Sequence, residues 1–506
     1  MQATPTTASP LLAAIDMGSN SFRLEIGQLQ HGRYKRVDYL KETVRLGAGL
    51  DADGQLSEEA QARGLACLKR MAQRLADLQP GQVRAVATQT LREARNRDAF
   101  LQRAQTALGL PIEVISGREE ARLIYAGVAR LQPSDARRLV IDIGGRSTEL
   151  ILGQGLQPEA AESFAVGCVS LSMRFFSDGR LTAEAFRAAQ VAAGAELEEA
   201  LELFAPGRWV EALGSSGTAG AIAQVLQAAG VTDGRVTPAA LRWCIERCIE
   251  AGHIDRIELP GLKPERRAVL PGGLCILYTL ASFFSIDTLW PAKGALRQGV
   301  IFDLHQRQQA ANGHAGRGDM RDASVAALQQ RFGVDLAQAE RVASVALRLL
   351  PVPPKASRTA AHVEAQRELG WAAALHEMGL LVSHHDHHRH SAYLVGHVDA
   401  AGFSQNQQRH LAELVLGQRG GLRKLEPSLS RPDFAWQVLA LRLAVIKCHH
   451  RGPVQAKNWR LEMNGQEAQL HFTAEWARQH PRTLYLLQEE AGAWARGGPL
   501  RLKLPG

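Results

Sequence analysis

Residues 12–28, LAAIDMGSNSFRLEIGQ, and residues 138–154, RLVIDIGGRSTELILGQ, align without a gap at a shift of 142 − 16 = 126 positions. In each copy an apolar run ends at an aspartate, small polar residues follow, and a second alternating run begins. That pattern is a strand, a turn and a returning strand, so the chain is expected to carry the same β-hairpin twice.

The turns are built from residues with a shared chemistry. Gly18, Gly144 and Gly145 leave room for backbone to approach a ligand, so that successive N–H groups can surround an anion. Ser19, Asn20, Ser21, Ser147 and Thr148 add side-chain donors, and Arg146 adds a cation. Asp16 and Asp142 at the strand ends cannot hold phosphate themselves and are expected to hold a divalent cation or orient water. A third small-residue segment, Gly214, Ser215, Ser216, Gly217 and Thr218, follows VEAL and precedes TAGAIAQVLQAA, which predicts a strand, a turn and a helix N-terminus suited to anions.

Between the repeats, PIEVISGREEARLIYAGVA predicts a strand ending at Ile115 and a helix beginning after Ser116. Ser116 and Glu119 have capping-box spacing, which gives Glu119 a structural task. Glu120 is left as the carboxylate able to take a proton from attacking water. In VRAVATQTLREARN, Arg92 follows an apolar run and is a candidate phosphate partner.

The chain has 506 residues, too many for one core, with 45% hydrophobic and 22% charged residues, as in a soluble globular protein. Its net charge of +8 points to an anionic partner without choosing among nucleic acid, lipid surface and phosphorylated metabolite. The six scattered cysteines show no zinc spacing and suit a reducing cytosol. Neither a signal peptide nor a membrane span is expected.

Taken together, IDMGSNSFRL, ATQTLREA, ISGREEARLIYAGV, VIDIGGRSTEL, GCVSLSMRFF, LGSSGTAGA, LPGGLCIL and GALRQGV resemble the exopolyphosphatase and guanosine pentaphosphate phosphohydrolase family, over about the first 305 residues. The resemblance implies two ribonuclease-H-like lobes of the actin and sugar-kinase type with an active site between them. It implies Mg2+-dependent attack of water on a terminal phosphoanhydride, with Glu120 as base and with Asp142 and Glu149 on the magnesium side. The chain departs from the family at Arg146, where a small residue is usual. Because Asn20 holds the equivalent place in the first turn, Arg146 is expected to be tolerated or to add a cation for the phosphate chain.

The implied organisation is α/β: lobe I at 1–130, lobe II at 131–308, an HD-like helical domain at 309–452 and a small α/β unit at 453–506. A polar linker is expected after His305, in QRQQAANGHAGRGDMRDA. Where a metal-binding HD domain needs a His-Asp pair, this chain has His376-Glu377, which argues against metal there. The tract from His384 to His390, HHDHHRH, is expected to form a solvated or phosphate-facing loop that gains charge through the histidine pH range. Asn464-Gly465 predicts a hairpin. The function expected on these grounds is an exopolyphosphatase acting on inorganic polyphosphate. Alternatives are a phosphohydrolase of guanosine penta/tetraphosphate and a non-catalytic binder of these anions; HRHSAYLV favours the exopolyphosphatase branch. The resemblance also implies a homodimer and extends to peripheral membrane contact, whereas no nucleic acid is expected.

Overall fold

The computed structural model describes residues 10–30, 33–311, 318–351 and 359–505. The chain forms two compact units, Met1–Arg317 and Gly318–Gly506.

The first unit holds two five-stranded sheets. One comprises β1 (Leu11–Met17), β2 (Ser21–Gln30), β3 (Arg33–Thr43), β4 (Val83–Ala87) and β5 (Ile112–Val114), in spatial order 3-2-1-4-5. The other comprises β6 (Arg137–Ile143), β7 (Thr148–Gln154), β8 (Gln157–Phe164), β9 (Glu211–Ser215) and β10 (Leu289–Pro291), in order 8-7-6-9-10. Renumbered from its own first strand, the second sheet has the order of the first, with three antiparallel strands followed by two parallel ones. The short repeat thus marks a duplication of whole sheets, the ribonuclease-H-like pair expected from the sequence.

Alternation along the strands explains how the lobes join. In β1, Ala13, Ile15 and Met17 enter the core of lobe I, while Leu12 and Ala14 enter a separate shared core. In β6, Leu139, Ile141 and Ile143 belong to lobe II, while Val140 faces the shared core. Side chains of successive residues point to opposite faces of a sheet, so each sheet is apolar on both sides. Two helices, Gly117–Leu131 and Leu296–Ala311, fill the shared layer with Leu123, Ile124, Val128, Val300 and Ile301.

The linker expectation is corrected in part. Residues 306–311 continue the Leu296–Ala311 helix, and another helix spans Met320–Arg331. Residues 312–317 of that stretch lie outside the described residues.

In the second unit, helices and a three-stranded sheet of β11 (Arg460–Asn464), β12 (Glu467–His471) and β13 (Arg501–Lys503) share one apolar core that includes Val342, Leu439, Trp459, Leu470 and Trp494. No core boundary falls at residue 452. The predicted hairpin is present, with Asn464 paired to Glu467 and Gly465 in the left-handed region at φ +61°. The histidine tract meets expectation only at its start: His384 and His385 are exposed in a turn, whereas His387–His397 is helical and His387 and His388 are buried. Burial lowers both their pKa values, that of His388 to about 4, so His388 gains no charge in the ordinary histidine range.

Candidate active site

The repeated hairpins place Asp16 opposite Arg23 and Asp142 opposite Glu149. Their turns meet. A Cβ on Gly145 would lie 3.0 Å from Ser19 Cβ and 3.6 Å from the Asn20 nitrogen, so glycine permits the two lobes to touch at this point. Behind it, the Gly144 and Gly145 carbonyls accept bonds from the amides of Cys168 and Val169, at 2.9 and 2.8 Å, which fixes the second turn against the Cys168–Phe175 helix.

A cavity of about 80 Å³ opens between the turns, lined by Gly18–Ser21, Gly144, Gly145, Ser147 and Ser216–Thr218. The last three begin the 13-residue helix Ser216–Ala228, whose first amides lack intrahelical partners and are suited to bind anions. Ser216 is in the left-handed region at φ +61°, and its hydroxyl donates to Asp142 Oδ1 at 2.6 Å.

Glu120 lines this cavity from the first turn of the Gly117–Leu131 helix. Ser116 caps that helix by accepting from the Glu119 amide. The structural task of Glu119 is an ion pair: its carboxylate receives Arg122 Nε and Nη2 at 2.7 and 2.8 Å. Glu120 Oε2 receives Arg92 Nη1 at 2.8 Å. Burial lifts the Glu120 pKa to about 7; Arg92 opposes the rise, and Asp16 and Asp142 add to it. A buried carboxyl near neutrality is a base of suitable strength for attack by water.

Several side chains expected to face phosphate are held by protein partners. Arg92 is committed to Glu120, to the Ile115 carbonyl and to Gln89. Arg146 is held by Glu93 and the Gly47 carbonyl and does not line the cavity. The Thr148 hydroxyl donates to the Val166 carbonyl, and that of Ser215 to the Gly294 carbonyl. Gly214 lies in β9, where a Cβ would be 2.5 Å from that of Ala219; its role is packing.

Asp16 also differs from its expected role as a metal ligand. Arg23 Nη1 and Arg297 Nη1 lie 3.4 and 3.6 Å from its Oδ2, so two guanidiniums already face it. Asp142 and Glu149 fit magnesium better. Both are buried and both have raised pKa values, caused first by burial; for Glu149 the charges of Glu120 and Asp142 add to it. Such crowded carboxylates gain from a cation. Among the described residues no three acidic or histidine side chains form a metal cage. That suits an ion which takes one or two carboxylates and fills its other positions from water and substrate phosphates.

The structure adds three cations that line the cavity and were not singled out from the sequence: Arg23, Arg266 and Arg297. Arg23 was detectable, since it alternates with core residues Phe22 and Leu24 and pairs with Asp16 in register. Arg297 is held by Glu25, which accepts its Nε at 3.1 Å. Arg266 comes from a two-turn 3-10 helix, Pro264–Val269, with no apolar periodicity to mark it. It rests against Gly217, whose Cβ would fall 1.9 Å from Arg266 Nη2, and it makes no ion pair among the described residues.

Comparison with known proteins places this geometry. Residues 26–308 match the model of the Ppx/GppA phosphatase family, and residues 320–491 match that of Ppx/GppA phosphatase domain III. A guanosine-5'-triphosphate,3'-diphosphate pyrophosphatase of Vibrio vulnificus is 38% identical over 494 residues, covering 96% of each chain. A protein of the same name from Photobacterium profundum is 36% identical over 485 residues, again covering 96% of each. Among solved structures, an exopolyphosphatase-like protein superposes with a TM-score of 0.53 at 26% identity, covering 58% of this chain and 97% of its own.

Proposed function

The chain belongs to the Ppx/GppA phosphatase family, and from that premise we propose that it removes the terminal phosphate of guanosine 5'-triphosphate,3'-diphosphate, releasing orthophosphate. The observation that carries this is the contact between the two glycine turns, with Glu120 facing the cavity they enclose. The two nearly full-length relatives bear a name that specifies this substrate, which moves the preference away from the exopolyphosphatase expected from HRHSAYLV.

In the proposed reaction, amides of the turns at 18–21 and 144–147 and of the helix start at 216–218 surround the terminal phosphates, while Arg23, Arg266 and Arg297 supply positive charge. Glu120 accepts a proton from water as its oxygen bonds to the terminal phosphorus. The anhydride bond on the opposite side breaks, and its electron pair leaves on the bridging oxygen of the nucleotide. Arg92 holds Glu120 in place and favours its ionised form between turnovers. Asp142 and Glu149 would hold Mg2+, which neutralises phosphate charge.

Inorganic polyphosphate is the second reading. It is favoured by the exopolyphosphatase-like structural neighbour. A side-by-side assay of phosphate release from both substrates with Mg2+ present separates the two. Equal absence of release from both, with folded protein, would overturn the enzymatic proposal.

A further inference from the structure

The helix that carries Glu120 is fastened from below by a cluster of charges that touches no part of the cavity. Asp303, in the Leu296–Ala311 helix, receives Arg84 Nη1 at 2.7 Å, Arg122 Nη2 at 2.7 Å and Arg307 Nε at 2.8 Å. Arg122 also grips Glu119, and Arg84 reaches Glu113 at 2.9 Å. Arg84, Arg122, Asp303 and Glu119 are all at least nine-tenths buried. Three carboxylates therefore face three guanidiniums, four of the six groups buried and Glu113 and Arg307 at the partly exposed edge, so that removing a buried partner leaves a buried charge uncompensated.

A second contact fixes the same helix pair further along. A Cβ on Gly299 would fall 1.8 Å from the Leu123 carbonyl oxygen, and one on Gly127 would fall 2.3 Å from that of Ala295. The helices thus touch backbone to backbone at these glycines, one turn from Asp303 on one helix and one to two turns from Glu119 on the other. The glycine contact sets their spacing. The first turn of the Glu120 helix lies beyond that contact; there the Ser116 cap and Arg92 act together with the buried charge cluster.

From this geometry we infer that Asp303 is a positioning residue for the reaction, acting through Arg122 and Glu119 to set the direction of Glu120. Adjacent helical residues diverge by about 100°. With Glu119 drawn to the charge cluster, Glu120 is turned toward the cavity. The inference rests on the reading of Glu120 as base. Its consequence is a defect in the chemical step and not in substrate affinity, because none of the cluster's side chains lines the cavity.

The test uses the full chain with Asp303→Asn and Asp303→Glu, measuring kcat and KM for phosphate release per folded molecule. Asp303→Asn should lower kcat by about 10- to 100-fold, the scale expected of a base displaced by about 1 Å, with KM changed less than about twofold. Asp303→Glu, which keeps the charge but alters its reach, should recover part of kcat. Undiminished kcat in the asparagine variant, or kcat and KM altered by the same factor, overturns the inference. If the asparagine variant does not fold, the glutamate variant decides: reduced kcat at unchanged KM supports the inference, and wild-type kcat overturns it. The unaltered chain is assayed alongside, and silence there overturns the role of Glu120 and the inference with it.

Discussion

Arg146 Nη2 lies 2.8 Å from Glu93 Oε2, so the one residue that departs from the family's small-residue turn is neutralised by the opposite lobe. The guanidinium also donates to the Gly47 carbonyl at 3.2 Å. A turn that would otherwise be occupied by a large cation is thereby left clear for substrate, and the pair ties the lobes beside the cavity. Both side chains are less than one-third exposed, and a pair of this kind contributes roughly 1 kcal/mol or less. Arg146→Ala should therefore leave KM within about threefold and kcat within about fivefold of the unaltered protein. A tenfold rise in KM would show instead that the guanidinium serves the phosphate chain.

Glu120→Gln keeps the shape of the side chain and its acceptor for Arg92 but removes its ability to take a proton. Loss of a general base costs about 10²- to 10⁴-fold, so kcat should fall within that range. Phosphate release at the unaltered rate would remove Glu120 from the mechanism.

The Arg92 partnership gives a prediction with a direction in pH. Arg92 lowers the Glu120 pKa against the larger effect of burial, and the balance stands at about 7. Without the guanidinium the carboxyl holds its proton to higher pH, and only the ionised form can act as base. In Arg92→Gln the acid limb of the kcat profile should move upward. A profile that stays in place or moves toward acid contradicts the assigned cause.

What could be read from the sequence follows the range over which each interaction acts. The hairpins were legible because an apolar strand, an Asp-Gly turn and a returning strand are local, and the 126-residue shift repeats them; the common sheet order extends that local signal to whole lobes. The placing of Glu120 at the cavity was legible from a cap argument that is also local, although Glu119 is occupied by an ion pair with Arg122. Of the two expectations for Arg146, tolerance and an added cation, the geometry fits tolerance; the sequence could not choose because its partner stands 53 residues away and nothing in its own segment records it. The helical part of the histidine tract was misjudged for a related reason: a run of polar residues resembles solvent-facing chain until the apolar neighbours that bury His387 and His388 are known.

Acid should destabilise the second unit through His376. This side chain is 2% exposed, its Nδ1 is bonded to the Ala373 carbonyl at 2.6 Å, and burial lowers its pKa from 6.5 to about 4. As pH falls, the unfolded chain takes the proton first. Stability is thus intact above 6.5, declines below it, and has lost this contribution near pH 4. The full effect is about 3 kcal/mol at about 1.4 kcal/mol per pH unit. His376→Asn, compared with the unaltered protein by melting curves from pH 7 to 4, should show a shallower decline. Parallel curves would mean that other groups set the acid limit.

Arg266 makes no ion pair among the described residues, is largely buried, and faces the phosphate cavity beside Gly217. Burial and the nearby Arg23 both lower its pKa, so the protein's own groups leave this charge poorly compensated. An anion entering the cavity relieves that cost, so the guanidinium should contribute more to binding substrate than to the stability of the free protein. A hydrogen bond to a charged group contributes about 1.5–3 kcal/mol, equivalent to about 10- to 100-fold in affinity. Arg266→Ala is expected to raise KM by that factor while leaving the melting temperature unchanged or higher. Arg266→Lys should recover only part of the loss, because lysine lacks the planar fork that matches phosphate oxygens. Unchanged KM together with a lower melting temperature would make Arg266 a structural residue and remove it from substrate binding.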